Sequence, residues 1–212
     1  MKLRATILLV LAVLAVAGLA YCEEPYPYPA GETQVVFGFS GWQLGSYEGG
    51  LGFRLFHPGR LASLVMFDLG INSRWSESRY DTTGLDIDGT GVGFGMSYTL
   101  EKYLSTFHSV APYVGVGAMY SYYWSEDERT DAYDLEDRET SKSTSHRATL
   151  QGVLGAEWAF TSGISLGARY YMRLGRTWER LERNYYGERY SRDTDAWSFV
   201  SGAGYLTASL RF

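Results

Sequence analysis

Cysteine is almost missing from this sequence. Cys22 is the single one in 212 residues, which excludes an intramolecular disulfide as a staple for the fold. Proline is scarce too: there are five, and three of them sit together in EEPYPYPAGE, residues 23–32. Clustered cations are lacking, since 19 Lys and Arg stand against 24 Asp and Glu and leave a net charge of −5. That balance argues against nucleic acid as a partner, because its phosphates call for basic patches. Helical 3.6-residue periodicity is hard to find anywhere in the body of the chain, so helices are not its building material.

The one long apolar run opens the chain. MKLRATILLVLAVLAVAGLAYCEE carries Lys2 and Arg4, an apolar stretch from Ala5 to Val16, and small residues ending at Gly18-Leu19-Ala20. These are the parts of a cleaved secretory signal peptide, residues 1–20, to be set aside from fold reasoning. Cys22 lies just past the cut, and LAYC resembles a lipobox whose cysteine becomes acylated, but Tyr21 stands where such boxes carry Gly, Ala or Ser. Ordinary cleavage after Ala20 is the expectation. Residues 21–32 then read as an extended Pro/Tyr linker, and residues 33–212 as one domain.

What the chain has in quantity is glycine, 25 residues, and aromatic side chains, 16% of the total with 18 Tyr and 6 Trp. Both fit strands with tight packing, and the pattern along the chain is strict period-2 alternation. TQVVFGFSG from residue 33 sets Val35, Phe37 and Phe39 on one face, and GLGFRLFH from 50 sets Leu51, Phe53 and Leu55 against Arg54. LASLVMFDLGINS from 61 sets Val65, Phe67, Leu69 and Ile71 against Asp68. TGVGFGMSYTL from 90 and VAPYVGVGAMYSYYW from 110 alternate large residues with Gly91, Gly93, Gly95, Gly115 and Gly117. HRATLQGVLGAEWAF from 146, ISLGARYYMRLGRTW from 164 and AWSFVSGAGYLTASLRF from 196 complete eight strands. The fifth segment has no charged residue from Tyr103 to Ser125, long enough for a membrane helix. Its alternation, with Pro112, Gly115 and Gly117, argues for a strand instead.

The connections alternate as well. HPGR, EKYLSTFHS and TSG are short, whereas SRWSESRYDTTGLDID, SEDERTDAYDLEDRETSKSTS and ERLERNYYGERYSRDTD are long. Long and short loops therefore segregate to opposite ends, as they do in transmembrane barrels. An even number of antiparallel strands closes without leaving an edge. The residues opposite the apolar stripes include Arg54, Asp68, Arg147, Gln151, Glu157, Arg169, Arg173 and Arg211. A soluble, lipocalin-like barrel would bury the apolar stripe in a lumen that eight strands barely leave room for. In a membrane barrel the polar set turns inward as a lumen network, and the stripe meets lipid. Tyr98, Tyr120, Tyr122, Trp124, Trp158, Phe160 and Tyr170 then form aromatic girdles.

The fold expected is an all-β, eight-stranded antiparallel up-and-down transmembrane β-barrel. Its signal peptide, segregated loops and final strand, with Leu206, Ala208, Leu210 and Phe212 on one face, resemble the small bacterial outer-membrane barrels of the OmpA/OmpX type. The resemblance covers residues 33–212. It implies a Gram-negative outer-membrane location, extracellular loops, both mature termini in the periplasm, and residues 21–32 as a periplasmic linker. It also implies that the Phe212 stripe is an assembly signal read by the outer-membrane assembly machinery. Outer-membrane lipid and lipopolysaccharide are the other implied partners, and a monomer the implied state. Cofactors and metals are not expected.

Chemistry has thin support. Glu157 and Arg169 fall at roughly diagonal positions across the TSG turn, within reach of each other, and read as a satisfied polar core or a gate. Inward Trp42, Trp197, Phe199 and Tyr205 facing the glycines of strands four and five would fill the lumen. Lipid A deacylases of outer-membrane barrels are similar to one another in a His-x-Ser pair; His146 is followed here by Arg147-Ala148, with Ser143 and Ser145 before it. His57 and His108 fall in short turns as solvated histidines. The acidic loop 125–145 lacks the Asp-x-Asp-x-Asp-Gly spacing of a calcium loop. The function expected is a non-enzymatic barrel displaying loops for envelope integrity, surface contact or adhesion. A narrow, porin-like channel, a lipid A-modifying enzyme and a soluble binder stay as alternatives.

Overall fold

The computed structural model describes residues 28–43, 46–80, 83–104, 106, 109–131, 138–185 and 188–212. The expected signal peptide, Cys22 and His108 lie outside them, as does the side chain of Trp42. Eight strands run in chain order: β1 (Thr33–Gln43), β2 (Ser46–His57), β3 (Leu61–Tyr80), β4 (Thr83–Tyr103), β5 (Val110–Asp131), β6 (Arg138–Ala159), β7 (Ile164–Tyr185) and β8 (Glu188–Arg211). Each pairs antiparallel with the next, and β1 pairs with β8 to close the barrel. The expected all-β, eight-stranded up-and-down barrel is what the chain forms.

The alternation sorts inside from outside. Outward rows such as Leu51-Phe53-Leu55, Phe67-Leu69-Ile71 and Val92-Phe94-Met96 leave large apolar side chains exposed, as do Val116 and Leu150 at 66% each. Inward positions are mostly polar and buried: Gln34, Arg54, Thr99, Glu101, Gln151, Glu157 and Arg169 each expose 5% or less. An apolar exterior around a polar interior is the arrangement hydrocarbon demands.

Three expectations are corrected here. The long connections after strands three, five and seven are largely strand, and β4 to β8 run to 21–24 residues. About ten tilted residues cross a bilayer, so these strands extend well past the apolar belt. Their outer halves alternate weakly because both faces are polar, and cross-strand ion pairs such as Lys142–Glu126 (2.9 Å) take the place of apolar packing. The linker is not wholly extended: Glu32 N–H donates to the Pro29 carbonyl in a turn, and Tyr28 is 1% exposed. Finally, Trp197 and Phe199 do not fill the lumen. Tyr171 pairs with Ala203 but Met172 with Ser201, so Gly202 is an extra residue in β8. A one-residue bulge flips the facing of everything beyond it. Trp197 and Phe199 therefore point outward, 68% and 69% exposed.

Candidate functional site

The lumen near the short turns is filled by four charged residues from four strands. Arg54 of β2 sits between two acids: its Nε lies 3.0 Å from Glu101 Oε2 of β4, and its Nη1 donates to Glu157 Oε2 of β6 at 2.5 Å. Arg169 of β7 donates through Nη2 to the other oxygen of Glu101 at 2.5 Å. Glu101 thus bridges both arginines. Tyr103 donates its hydroxyl to Glu157 at 2.8 Å, Ser165 donates to the same carboxylate, and Gln34 accepts from Arg54 at 2.9 Å. Two cations and two anions cancel, which is the condition for holding charge out of water.

Aromatic rings close this ion core. Tyr103 and Tyr113 pack with centroids 5.0 Å apart, and the Arg54 guanidinium lies about 6 Å from the rings of Phe56, Tyr103 and Tyr113. Beneath them Tyr28 stacks on Phe56 at 4.6 Å and meets Tyr103 edge-on at 5.5 Å. Arg211 lies 4.5 Å above the Tyr28 ring and 3.4 Å from Glu32 Oε1, tying the pre-strand segment to the last strand. The mouth at the short-turn end is therefore packed with side chains.

Each residue placed in the lumen network by its facing can now be located. Arg54, Glu157 and Arg169 belong to the ion core, Gln151 donates to Thr99 at 3.0 Å, and Arg211 borders the mouth. Asp68 faces inward over Gly50 and Gly95. Arg147 and Arg173 lie higher, toward the long-strand end, lining a small cavity. Glu157 and Arg169 are diagonal neighbours, opposite Gly167 and Gly155, but each bonds a different partner.

Glu101 and Tyr28 were not legible as site residues. Glu101 falls within EKYLSTFHS, which reads as a turn, yet it continues the inward row Gly95, Ser97, Thr99. Strand parity alone carries that signal. Tyr28 had no such signal, because no alternation precedes β1. The glycines of β4 are filled by a neighbour instead of the far wall: a Cβ on Gly91 would collide with the Tyr123 hydroxyl of β5.

Outside, Tyr98, Tyr120, Tyr122, Trp158, Phe160 and Tyr170 are exposed and Trp124 half-buried. Leu206, Leu210 and Phe212 face out, Phe212 at 81% exposure, with Ala208 half-buried between them. His146 Nδ1 lies 2.7 Å from the Tyr120 hydroxyl, on the outer face. Ser143 bonds Glu179 at 3.1 Å, and Ser143 and Ser145 have the opposite strand parity to His146. The structure does not bring them together as a nucleophile and base. His57 ends β2 half-buried, its Nε2 2.8 Å from Ser63 Oγ, and so is not a solvated turn residue.

The architecture is shared with a solved outer-membrane protein. A major outer membrane protein from Thermus thermophilus is 15% identical, with a TM-score of 0.51 over 85% of this chain and 98% of that one. Ail, the attachment invasion locus protein of Yersinia pestis, is 12% identical over 87% of this chain and 100% of its own, with a TM-score of 0.41. No family model and no curated protein matches the sequence. The fold is that of an outer-membrane β-barrel; neither likeness singles out the OmpA/OmpX type.

Proposed function

We propose that this chain is a non-enzymatic integral outer-membrane barrel that displays its long hairpins at the cell surface, for envelope integrity, surface contact or adhesion. The observation that carries the reading is the pairing of an apolar outer belt with a lumen sealed by Arg54, Glu101, Glu157 and Arg169 over Tyr28 and Tyr103. A sealed wall makes a rigid platform, and the polar outer halves of β3 to β8 are what it presents. Placing those halves outside puts both mature termini in the periplasm, with the Phe212 stripe positioned for the assembly machinery. Exposed Arg180, Arg189 and Arg192 on the last hairpin offer contacts to lipopolysaccharide phosphates.

The test is fractionation with heat-modifiable gel mobility, which reads location and barrel closure together. An epitope inserted between Tyr185 and Glu188 should be reached by antibody on intact cells, and one following Phe212 should not. A protein that stays in the soluble fraction, or the reverse labelling, would overturn the reading.

The alternative of a narrow channel draws on the cavity beside Arg147 and Arg173. In a planar bilayer the purified protein should give no steady conductance, because the ion core and rings close the other end. Reproducible single-channel steps would favour the channel.

A further inference from the structure

We infer that the upper lumen holds a binding site for a small oxyanion, between Arg147 and Arg173. A cavity of about 80 Å³ opens there among β5, β6, β7 and β8. Its polar lining consists of those two arginines and the hydroxyls of Ser121, Thr149 and Ser198, and no acid lines it. All five groups can donate hydrogen bonds, which matches the needs of a carboxylate, phosphate or sulfate.

The register explains why the space exists. Thr149 pairs with Gly175, Arg147 with Thr177 one inward step above, and Gln151 with Arg173 one step below. The two arginines are therefore diagonal across a position where β7 contributes no side chain. A Cβ on Gly175 would come within 2.9 Å of Thr149 Oγ1 and encroach on the gap. One water needs roughly 10–15 Å³ of such cavity, so there is room for an ion of a few heavy atoms.

The arginines differ from those of the ion core. Arg54 and Arg169 each contact glutamate within 3.0 Å. Arg173 packs its guanidinium 4.5 Å from the Tyr171 ring, and its buried Nε, like that of Arg169, has no hydrogen-bond partner among the described residues; what sets Arg173 apart is that no carboxylate there pairs with it. Arg147 commits its Nε to Thr177 at 2.9 Å. Asp68 on β3 attracts Arg173 electrostatically across the lumen, yet forms no ion pair with it among the described residues. A buried guanidinium donor without an acceptor is costly, and an oxyanion held by the fork of Arg173 would relieve it.

The full mature chain, refolded in detergent micelles, is titrated with inorganic phosphate, sulfate and acetate separately at constant ionic strength. The readout is the arginine Nε–Hε NMR signals. The Arg147 and Arg173 signals, assigned through R147Q and R173Q, should shift saturably. R173Q should weaken binding about tenfold or more, and Gly175→Ala should weaken it with both arginines in place. R176Q, on the outer face, should bind as the parent does. Heat-modifiable mobility establishes that each variant is folded, and if R173Q does not fold, R147Q and Gly175→Ala decide. A linear, non-saturating shift, or equal affinity in R147Q and Gly175→Ala, would overturn the site. Saturation by one titrant alone would identify which oxyanion it takes.

Discussion

Arg54 and Glu157 meet at 2.5 Å in the barrel interior although 103 residues separate them in the chain. They lie on β2 and β6, opposite sides of an eight-stranded ring, so the contact crosses the lumen. Glu101 joins them from β4 and Arg169 from β7. Four strands are thereby cross-linked through the centre as well as around the wall.

Glu101 contacts both arginines, so Glu101→Gln leaves excess buried positive charge. It should destabilise the barrel by about 3–5 kcal/mol. Glu126→Gln, at the exposed Lys142–Glu126 pair of 2.9 Å, should change stability by less than about 1 kcal/mol. Urea unfolding of the protein refolded in lipid vesicles measures both. Equal effects would show that the buried core is not what holds the lumen.

Tyr28 is stacked on Phe56 and lies under Arg211. Removing the ring by Tyr28→Ala should cost about 3–5 kcal/mol, whereas Tyr28→Phe keeps the ring contacts and should change stability by less than about 1 kcal/mol. The temperature at which gel mobility changes is the check. An unaltered transition in Tyr28→Ala would mean that the segment before β1 merely rests on the mouth.

Phe212 is 81% exposed and makes its backbone hydrogen bond to Thr33 through its N–H at 3.2 Å. Phe212→Asp should leave refolding in detergent nearly unchanged, because little packing is lost. In cells it should lower the outer-membrane level several-fold. Normal levels, measured by membrane fractionation and blotting, would remove the assembly role given to the terminal stripe.

Glu182 stands on the outer part of β7, beyond the apolar belt, and accepts from Arg189 at 2.6 Å. That hydrogen bond, with the nearby charge, holds its carboxyl below the usual glutamate range. A depressed carboxylate contributes stability above its unfolded value, near pH 4.3, and loses it as pH falls through the folded value. Arg189→Gln should therefore return the Glu182 titration toward the ordinary range, read by NMR of the side-chain carboxyl. An unchanged midpoint would assign the shift to another group.

Much of this was legible because strand facing is a local property. Each residue's side is set by parity from its neighbours, so Leu51-Phe53-Leu55 outside and Arg54 inside follow from counting by two. The same count fails wherever an extra residue enters, and Gly202 inverts Trp197 and Phe199 for that reason. It also weakens where both faces are polar, which is why the outer halves of β3 to β8 read as loops.

The sequence by itself determined the sheet, the number of strands, their order and, wherever the ladder carries no bulge, which side chains turn inward. Only the tertiary structure decided that Glu101 joins Arg54 to Arg169, that Tyr28 closes the mouth, and that Arg173 faces a cavity while Arg169 faces an acid. Parity is written between adjacent residues, but a partner across the lumen is fixed by closure and register. Those depend on all eight strands at once.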